Sequence, residues 1–224
     1  MDNVVITIAR GFGSGGKRIG SKIAKDLGIH CYENRILTLA SQMSGIDESV
    51  MAEVNEKMRG KSFFQGLLKG LPHSKGPKAE GEFESDEHIF ELQKQIIENL
   101  AQTESCVIVG KCADWILKDY PNVISVYIEA PREYCRNEIM ERMQVNEATA
   151  DRSITQTDKY RAEYYKYYTG GNYWTNPVNY DLTLNTARVG FDNCVKVIED
   201  YIRTKYPDLK IVPTVEAGKE TQTQ

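Results

Sequence analysis

The stretch from Arg10 to Gly20 reads Arg-Gly-Phe-Gly-Ser-Gly-Gly-Lys-Arg-Ile-Gly, and it constrains the fold more than any other part of the chain. It follows an apolar run, Val4-Val5-Ile6-Thr7-Ile8, and precedes a helical pattern of Ile19, Ile23, Ala24 and Leu27. Gly11, Gly16 and Lys17 match the first seven positions of G-x-x-x-x-G-K-[ST], in the required context of buried strand, glycine-rich turn and helix start. Glycines tolerate the turn geometry and bring no side chain between backbone and ligand. Amides at the helix start then face an anion, and the helix dipole adds to the attraction. Gly11, Gly13, Ser14, Gly15, Gly16, Lys17 and Arg18 are therefore the candidate phosphate-binding residues, with Lys17 neutralising the outer phosphates. The alternative is a bare glycine-rich turn with no ligand. One position departs from the pattern: Arg18 stands where Ser or Thr would hold Mg²⁺.

The rest of the chain alternates strands with helices, which implies a parallel sheet. Strands are predicted at Asn3 to Ala9, Ile29 to Tyr32, Cys106 to Gly110, Val123 to Ile128 and Tyr180 to Asn185. Helices are predicted at Gly15 to Leu27, closed by Gly28, and at Asn34 to Met43. Further ones follow from Ser85 or Asp86 through Leu100, after Asp114 to Lys118, at Pro131 to Met143, Asn146 to Tyr168 and Phe191 to Tyr201. Arg152, Lys159 and Lys166 recur every seven residues and so share a helix face, and Arg161 is expected close to it. The expected organisation is one domain over residues 1–210. Its core is 1–44, 86–142 and 173–206, its insertion is 45–85 and its lid is 143–172. Residues 211–224 read as a disordered tail.

With 27% charged and 41% hydrophobic residues the chain is ordinary for a soluble domain, and a net charge of -4 argues against a dedicated nucleic-acid binder. Five cysteines, an odd number without a CxxC pair, read as reduced core thiols of a cytoplasmic protein. No signal peptide and no apolar run long enough to cross a bilayer is visible.

Four motifs in order carry a resemblance. They are Ile8 to Lys17, Val-Ile-Val-Gly-Lys-Cys-Ala-Asp at Val107 to Asp114, Tyr-Tyr-Lys-Tyr-Tyr-Thr-Gly at Tyr164 to Gly170, and Asn-Tyr-Asp-Leu at Asn179 to Leu182. Together they resemble the cytidylate kinase-like family of P-loop nucleoside monophosphate kinases over about residues 3–204. The resemblance implies a three-layer α/β P-loop fold with a five-stranded parallel sheet, a monophosphate-binding insertion and a lid. It also implies transfer of the γ-phosphoryl of ATP to CMP or dCMP with Mg²⁺. The partners it implies are nucleotides, with no nucleic acid and no membrane, for a monomer or homodimer.

Phosphoryl transfer is mainly alignment and charge neutralisation, so it needs mobile cations as well as a cradle. Arg152, Lys159 and Arg161 are the catalytic candidates beside Lys17, whereas Arg132 and Arg136 read as exposed ion-pairing residues. Lys111 stands where the family usually has arginine, keeping charge but losing the bidentate fork. Asp114 either contacts substrate or caps its helix. Glu33 either hydrogen-bonds a nucleotide or orders a water around Mg²⁺. Gln93 either reads a pyrimidine edge or is a buried amide satisfied by backbone. Without the P-loop hydroxyl, Mg²⁺ is expected on nucleotide oxygens and water, with Ser14, Glu33 or Asp114 as further candidates. Two other functions fit the same motifs: a P-loop kinase for a different small acceptor, and a nucleotide-binding regulator without turnover.

Overall fold

The computed structural model describes residues 3–44 and 87–214. The expected insertion at 45–85 and most of the expected tail, 215–224, lie outside the described residues. The central strand, β1 (Val5–Arg10), pairs in parallel with β3 (Cys106–Val109) on one side and β4 (Val123–Glu129) on the other. β2 (His30–Tyr32) extends the sheet beyond β3 and β5 (Leu182–Asn185) beyond β4, giving the order β2-β3-β1-β4-β5, all parallel.

Strands covered on both faces must be largely apolar, and β1, β3 and β4 are, the buried hydroxyls of Thr7 and Ser125 meeting each other within the sheet. Successive residues point to opposite faces, so Val5, Ile108 and Val123 enter one core while Ile6, Ile8, Val107, Val109, Ile124 and Val126 enter the other. The first core is closed by α2 (Arg35–Ser44), α3 (Glu87–Thr103) and the short α4 (Ala113–Ile116). The second is closed by α1 (Gly16–Leu27) and α8 (Phe191–Lys205), which follows α7 (Thr186–Val189). Helices on both faces of a parallel sheet make the three-layer α/β arrangement expected from the alternating pattern.

Boundaries shift where capping decides them. Gly28 closes α1 in the left-handed conformation, as its position suggested, and its amide reaches the carbonyls of Ala24 and Lys25. The last helix runs on to Lys205, because Ile202 still packs into the core. α5 (Arg132–Met143) leads through a turn into α6 (Glu147–Tyr168), a single 22-residue helix. Asn146 caps α6, its side chain accepting from the Thr149 amide at 2.9 Å. All five cysteines are free, four of them buried, so they pack as small hydrophobes. Among the described residues no helix is long and apolar enough to cross a membrane.

Ile8 is fully buried in the second core. Ile8→Ala should lower the unfolding free energy by about 2–5 kcal/mol and Ile8→Val by about 1 kcal/mol. Urea titration reads both, and an alanine cost below about 1 kcal/mol would contradict a strand covered on both faces.

Candidate active site

The glycine-rich turn and the candidate residues that follow β2 and β3 gather at the carboxyl edge of the sheet, where the strands end and loops begin. β1 hands over directly to the glycine-rich turn: the Gly11 amide donates to the Ile128 carbonyl at 3.1 Å, so the sheet pattern continues into the loop. The turn closes on Gly15, left-handed at φ 87°, and α1 begins with no side-chain cap. Its first amides are thus left for an anion. Gly13 adopts φ +89°, and a Cβ there would sit 2.7 Å from the Cys135 carbonyl oxygen of α5. Only glycine fits against that backbone.

The side chains of the turn divide sharply. Lys17 reaches across to Glu33 just past β2, Nζ to Oε2 2.6 Å, and remains 55% exposed. Ser14 is fully buried, its single hydroxyl proton shared between the Gly11 and Ile128 carbonyls at 2.9 and 3.0 Å. It braces the turn, and that disposes of its side chain as a Mg²⁺ ligand. Arg18 leaves the cradle altogether, pairing with Glu138 at 3.1 Å and lying over the Phe191 ring at 4.9 Å.

Beside the cradle lies a cavity lined by Arg10, Glu33, Lys111, Asp114, Arg161 and Tyr165, with Gly110 and Cys112 in its wall. Four candidates from the sequence, Glu33, Lys111, Asp114 and Arg161, are therefore brought together. Arg161 is largely withdrawn from solvent, its side chain 13% exposed, and is held from several sides. It donates to the Arg10 carbonyl at 3.1 Å and to Asp158 at 3.3 Å, with the Phe12 ring 5.6 Å away. Burial first, and the neighbouring Arg10 second, push its guanidinium down to about 9. Asp158 also accepts from the Phe12 amide at 2.9 Å, so one carboxylate ties α6 to the glycine-rich turn.

Gly110, Lys111 and Cys112 are three consecutive left-handed residues, with φ of 77°, 62° and 54°. Two of them are not glycine, a strained arrangement that costs on the order of 1–3 kcal/mol per residue and turns Lys111 into the cavity wall. Asp114 accepts from the Tyr165 hydroxyl at 2.7 Å. Burial outweighs that hydrogen bond and raises its carboxyl to about 6.

Arg152 and Lys159 are not brought to this cavity. Arg152 is exposed, and Lys159 is exposed and paired with Glu163 at 3.8 Å. Positions 152 and 159 share a face, but 161 lies two residues beyond 159, roughly 200° around the helix. The expectation that Arg161 would lie close to them is corrected: it points inward where they point outward. Gln93 is buried on α3, its Nε2 donating to the Ile89 carbonyl at 3.2 Å while Oε1 has no partner among the described residues, and it is not in the cavity lining. Arg132 is exposed and Arg136 half-buried, and both pair with Asp151 of the next helix and not with an acid four residues along their own. The tyrosines of α6 are packing residues: Phe90 of α3 stacks on Tyr168 at 3.8 Å, and Tyr160, Tyr164 and Tyr165 are buried.

Arg10 and Asp158 escaped the sequence reading. Arg10 had one signal, a lone cation ending an otherwise apolar strand. Asp158 had another, an acid three residues before Arg161, the spacing of a helical pair.

An uncapped helix start wrapped by glycines in the Gly11, Gly16, Lys17 spacing, fed by the central strand of a parallel sheet, defines the P-loop class. This chain has that fold. Comparison with known sequences narrows the class: the chain belongs to the cytidylate kinase-like family, whose profile matches residues 5–188. A cytidylate kinase of Saccharolobus islandicus (strain L.S.2.15 / Lassen #1) is 29% identical over 128 residues, which span 55% of this chain and 63% of that protein. The crystal structure of an uncharacterized protein from Eubacterium ventriosum ATCC 27560 is 26% identical. It superposes with a TM-score of 0.67 and covers 90% of this chain and 99% of its own.

Asp114 supplies a pH test. Its folded carboxyl titrates above the value of the unfolded chain, so its stabilising contribution is fully present below about pH 4 and is lost as pH rises through about 6. Asp114→Asn should therefore match wild type near pH 4 and be more stable at pH 8, by on the order of 2–3 kcal/mol. Urea midpoints across that range read the difference. A variant less stable than wild type at pH 8 would mean that the ionised carboxylate is favoured in the folded protein.

Proposed function

We propose that the chain transfers the γ-phosphoryl of ATP to a nucleoside monophosphate, with CMP or dCMP as the preferred acceptor. The observation that carries the reading is the juncture at Glu33, whose carboxylate meets both Lys17 of the cradle and Arg10 of the adjoining cavity, at 2.6 and 3.5 Å. A donor site and an acceptor site share one wall there. The family membership and the cytidylate kinase relative support the choice of acceptor.

In this reading the backbone of Gly13 to Arg18 holds the donor phosphates and Lys17 neutralises charge on the group in transit. Arg161 faces the same region from α6, and Lys111 and Asp114 belong to the acceptor side. Residues 45–85 supply the monophosphate-binding insertion and residues 143–172 the lid, within a cytoplasmic monomer or homodimer. For Mg²⁺ the fitting ligand among the described cradle residues is the Glu33 carboxylate, with phosphate oxygens and waters completing the shell. The ion would supply positive charge to offset that of the phosphates. Arg152 and Lys159 are left outside the mechanism in the conformation described.

Lys17→Ala should retain the fold, because the side chain is half exposed, and should reduce turnover about 10²–10³-fold or more. The measurement is ADP release with CMP, dCMP, UMP, AMP and GMP, with Mg²⁺ or with chelator. Activity on AMP or GMP alone would discard the cytidylate assignment. No activity on any of the five, with tight ATP binding, would favour a regulator.

Arg18→Thr tests the metal question separately. Because Arg18 turns away to Glu138 and Phe191, the change should alter turnover less than about threefold and cost less than about 1 kcal/mol of stability. A tenfold fall in turnover would place its charge on the phosphates instead.

A further inference from the structure

One face of α6 carries a stripe of four residues that runs well beyond the glycine-rich turn. Asp158, Arg161, Tyr165 and Tyr168 follow one another at intervals of three, four and three, which places them in a line along the helix. Each meets a partner on the body of the molecule. Asp158 accepts from the Phe12 amide at 2.9 Å, and Arg161 donates to the Arg10 carbonyl at 3.1 Å. Tyr165 donates to Asp114 at 2.7 Å. Tyr168 stacks on Phe90 of α3, the ring centres 3.8 Å apart and the planes 11° from parallel. The stripe is polar where it crosses the turn and aromatic where it crosses α4 and α3.

The two ends differ in energetic sign. Withdrawing a guanidinium from water is unfavourable, and burial first, then Arg10, depress that of Arg161. Asp158 offsets only part of this. Arg10 has no freedom to yield, because it ends a strand paired on both edges. Its guanidinium also lies so close to Gly110 that a Cβ at 110 would collide with Nη1. The aromatic end works the other way. Tyr164 and Tyr165 are buried, Phe90 stacks on Tyr168 and meets Tyr164 edge-on at 6.1 Å, and covering such rings is favourable. The two turns of helix between Arg161 and Tyr168 span about 10 Å, so a hold at one end fixes the other.

We propose that Phe90 and Tyr168 are positioning residues, whose stack seats α6 so that Asp158 and Arg161 engage the glycine-rich turn. Neither residue lines the cavity beside the cradle, so their effect passes through the helix. The consequence for turnover rests on the phosphotransferase reading, whereas the seating itself does not.

The Phe12 amide reports the seating directly, because Asp158 is its acceptor. The measurement is amide hydrogen exchange of the full-length protein, followed by NMR. Phe90→Leu keeps apolar bulk and loses the ring. It should speed exchange at Phe12 by about tenfold or more while the amides of β1 change by less than about threefold. Phe90→Tyr keeps the ring and should exchange as wild type does. In turnover assays Phe90→Leu should lower kcat by about tenfold and leave KM for ATP within about threefold. In an Arg161→Met background the same change should lower kcat by less than about twofold, since the residue through which it acts is gone.

Unchanged exchange at Phe12 in Phe90→Leu would overturn the proposal. So would a rise at Phe12 matched by the amides of β1, which would mean general loosening and not unseating of α6. A full loss of kcat on top of Arg161→Met would also overturn it, because Phe90 would then act elsewhere. Should Phe90→Leu fail to fold, Tyr168→Leu removes the same stack from the other side, and the same outcomes decide. If no monophosphate is turned over, the phosphotransferase reading fails, and exchange at Phe12 decides the seating alone.

Discussion

A strand buried on both faces and paired on both edges has no room for a polar group until it ends. β1 is such a strand, and the rest of the site follows from it. Thr7, its one buried hydroxyl, is satisfied by Ser125 within the sheet at 3.2 Å. The charge of this strand is held back to its carboxyl end, where Arg10, the glycine-rich turn and the starts of α1 and α4 meet. The neighbouring strands deliver Glu33 and Lys111 to the same edge because they run parallel and in register with β1.

Once gathered, these charges hold one another. Lys17 and Arg10 share Glu33, Arg161 sits between the Arg10 carbonyl and Asp158, and Asp158 also takes the Phe12 amide. The proposed lid helix is thereby fastened to the phosphate turn by a carboxylate and a guanidinium. Its far end is fastened to α3 by aromatic stacking of Phe90 on Tyr168. These two attachments differ in kind. The aromatic one is indifferent to an arriving anion, whereas the polar one consists of groups that an anion would re-sort.

The parts visible in the sequence were those that depend on local periodicity. The five strands, the glycine cap of α1 and the phosphate turn could be read because a doubly covered strand and a glycine-rich turn leave few alternatives. Glu33, Lys111, Asp114 and Arg161 were found because they follow strands or belong to a cationic helix. Their convergence on one cavity depends on strand order, which periodicity does not encode. Arg161 was placed on the wrong face, since a seven-residue repeat drew attention to the outward residues Arg152 and Lys159. Ser14 and Arg18 carry the right chemistry for the cradle, yet packing turned one inward and the other outward. Left-handed backbone at Lys111 and Cys112 had no local signal, because neither residue favours it.

Gly110 and Arg10 occupy one volume between them, although a hundred residues of chain separate them in sequence. Substitution at one position is therefore sterically conditional on the other. A side chain at 110 is blocked for as long as a guanidinium lies against it. It becomes admissible only after position 10 has shortened, and even then it must bear the left-handed backbone. The reverse order, with Arg10 changing first, meets no such barrier. Substitutions at this pair should accordingly accumulate in one direction across the family, and a lineage that has lost the arginine is the one free to lose the glycine.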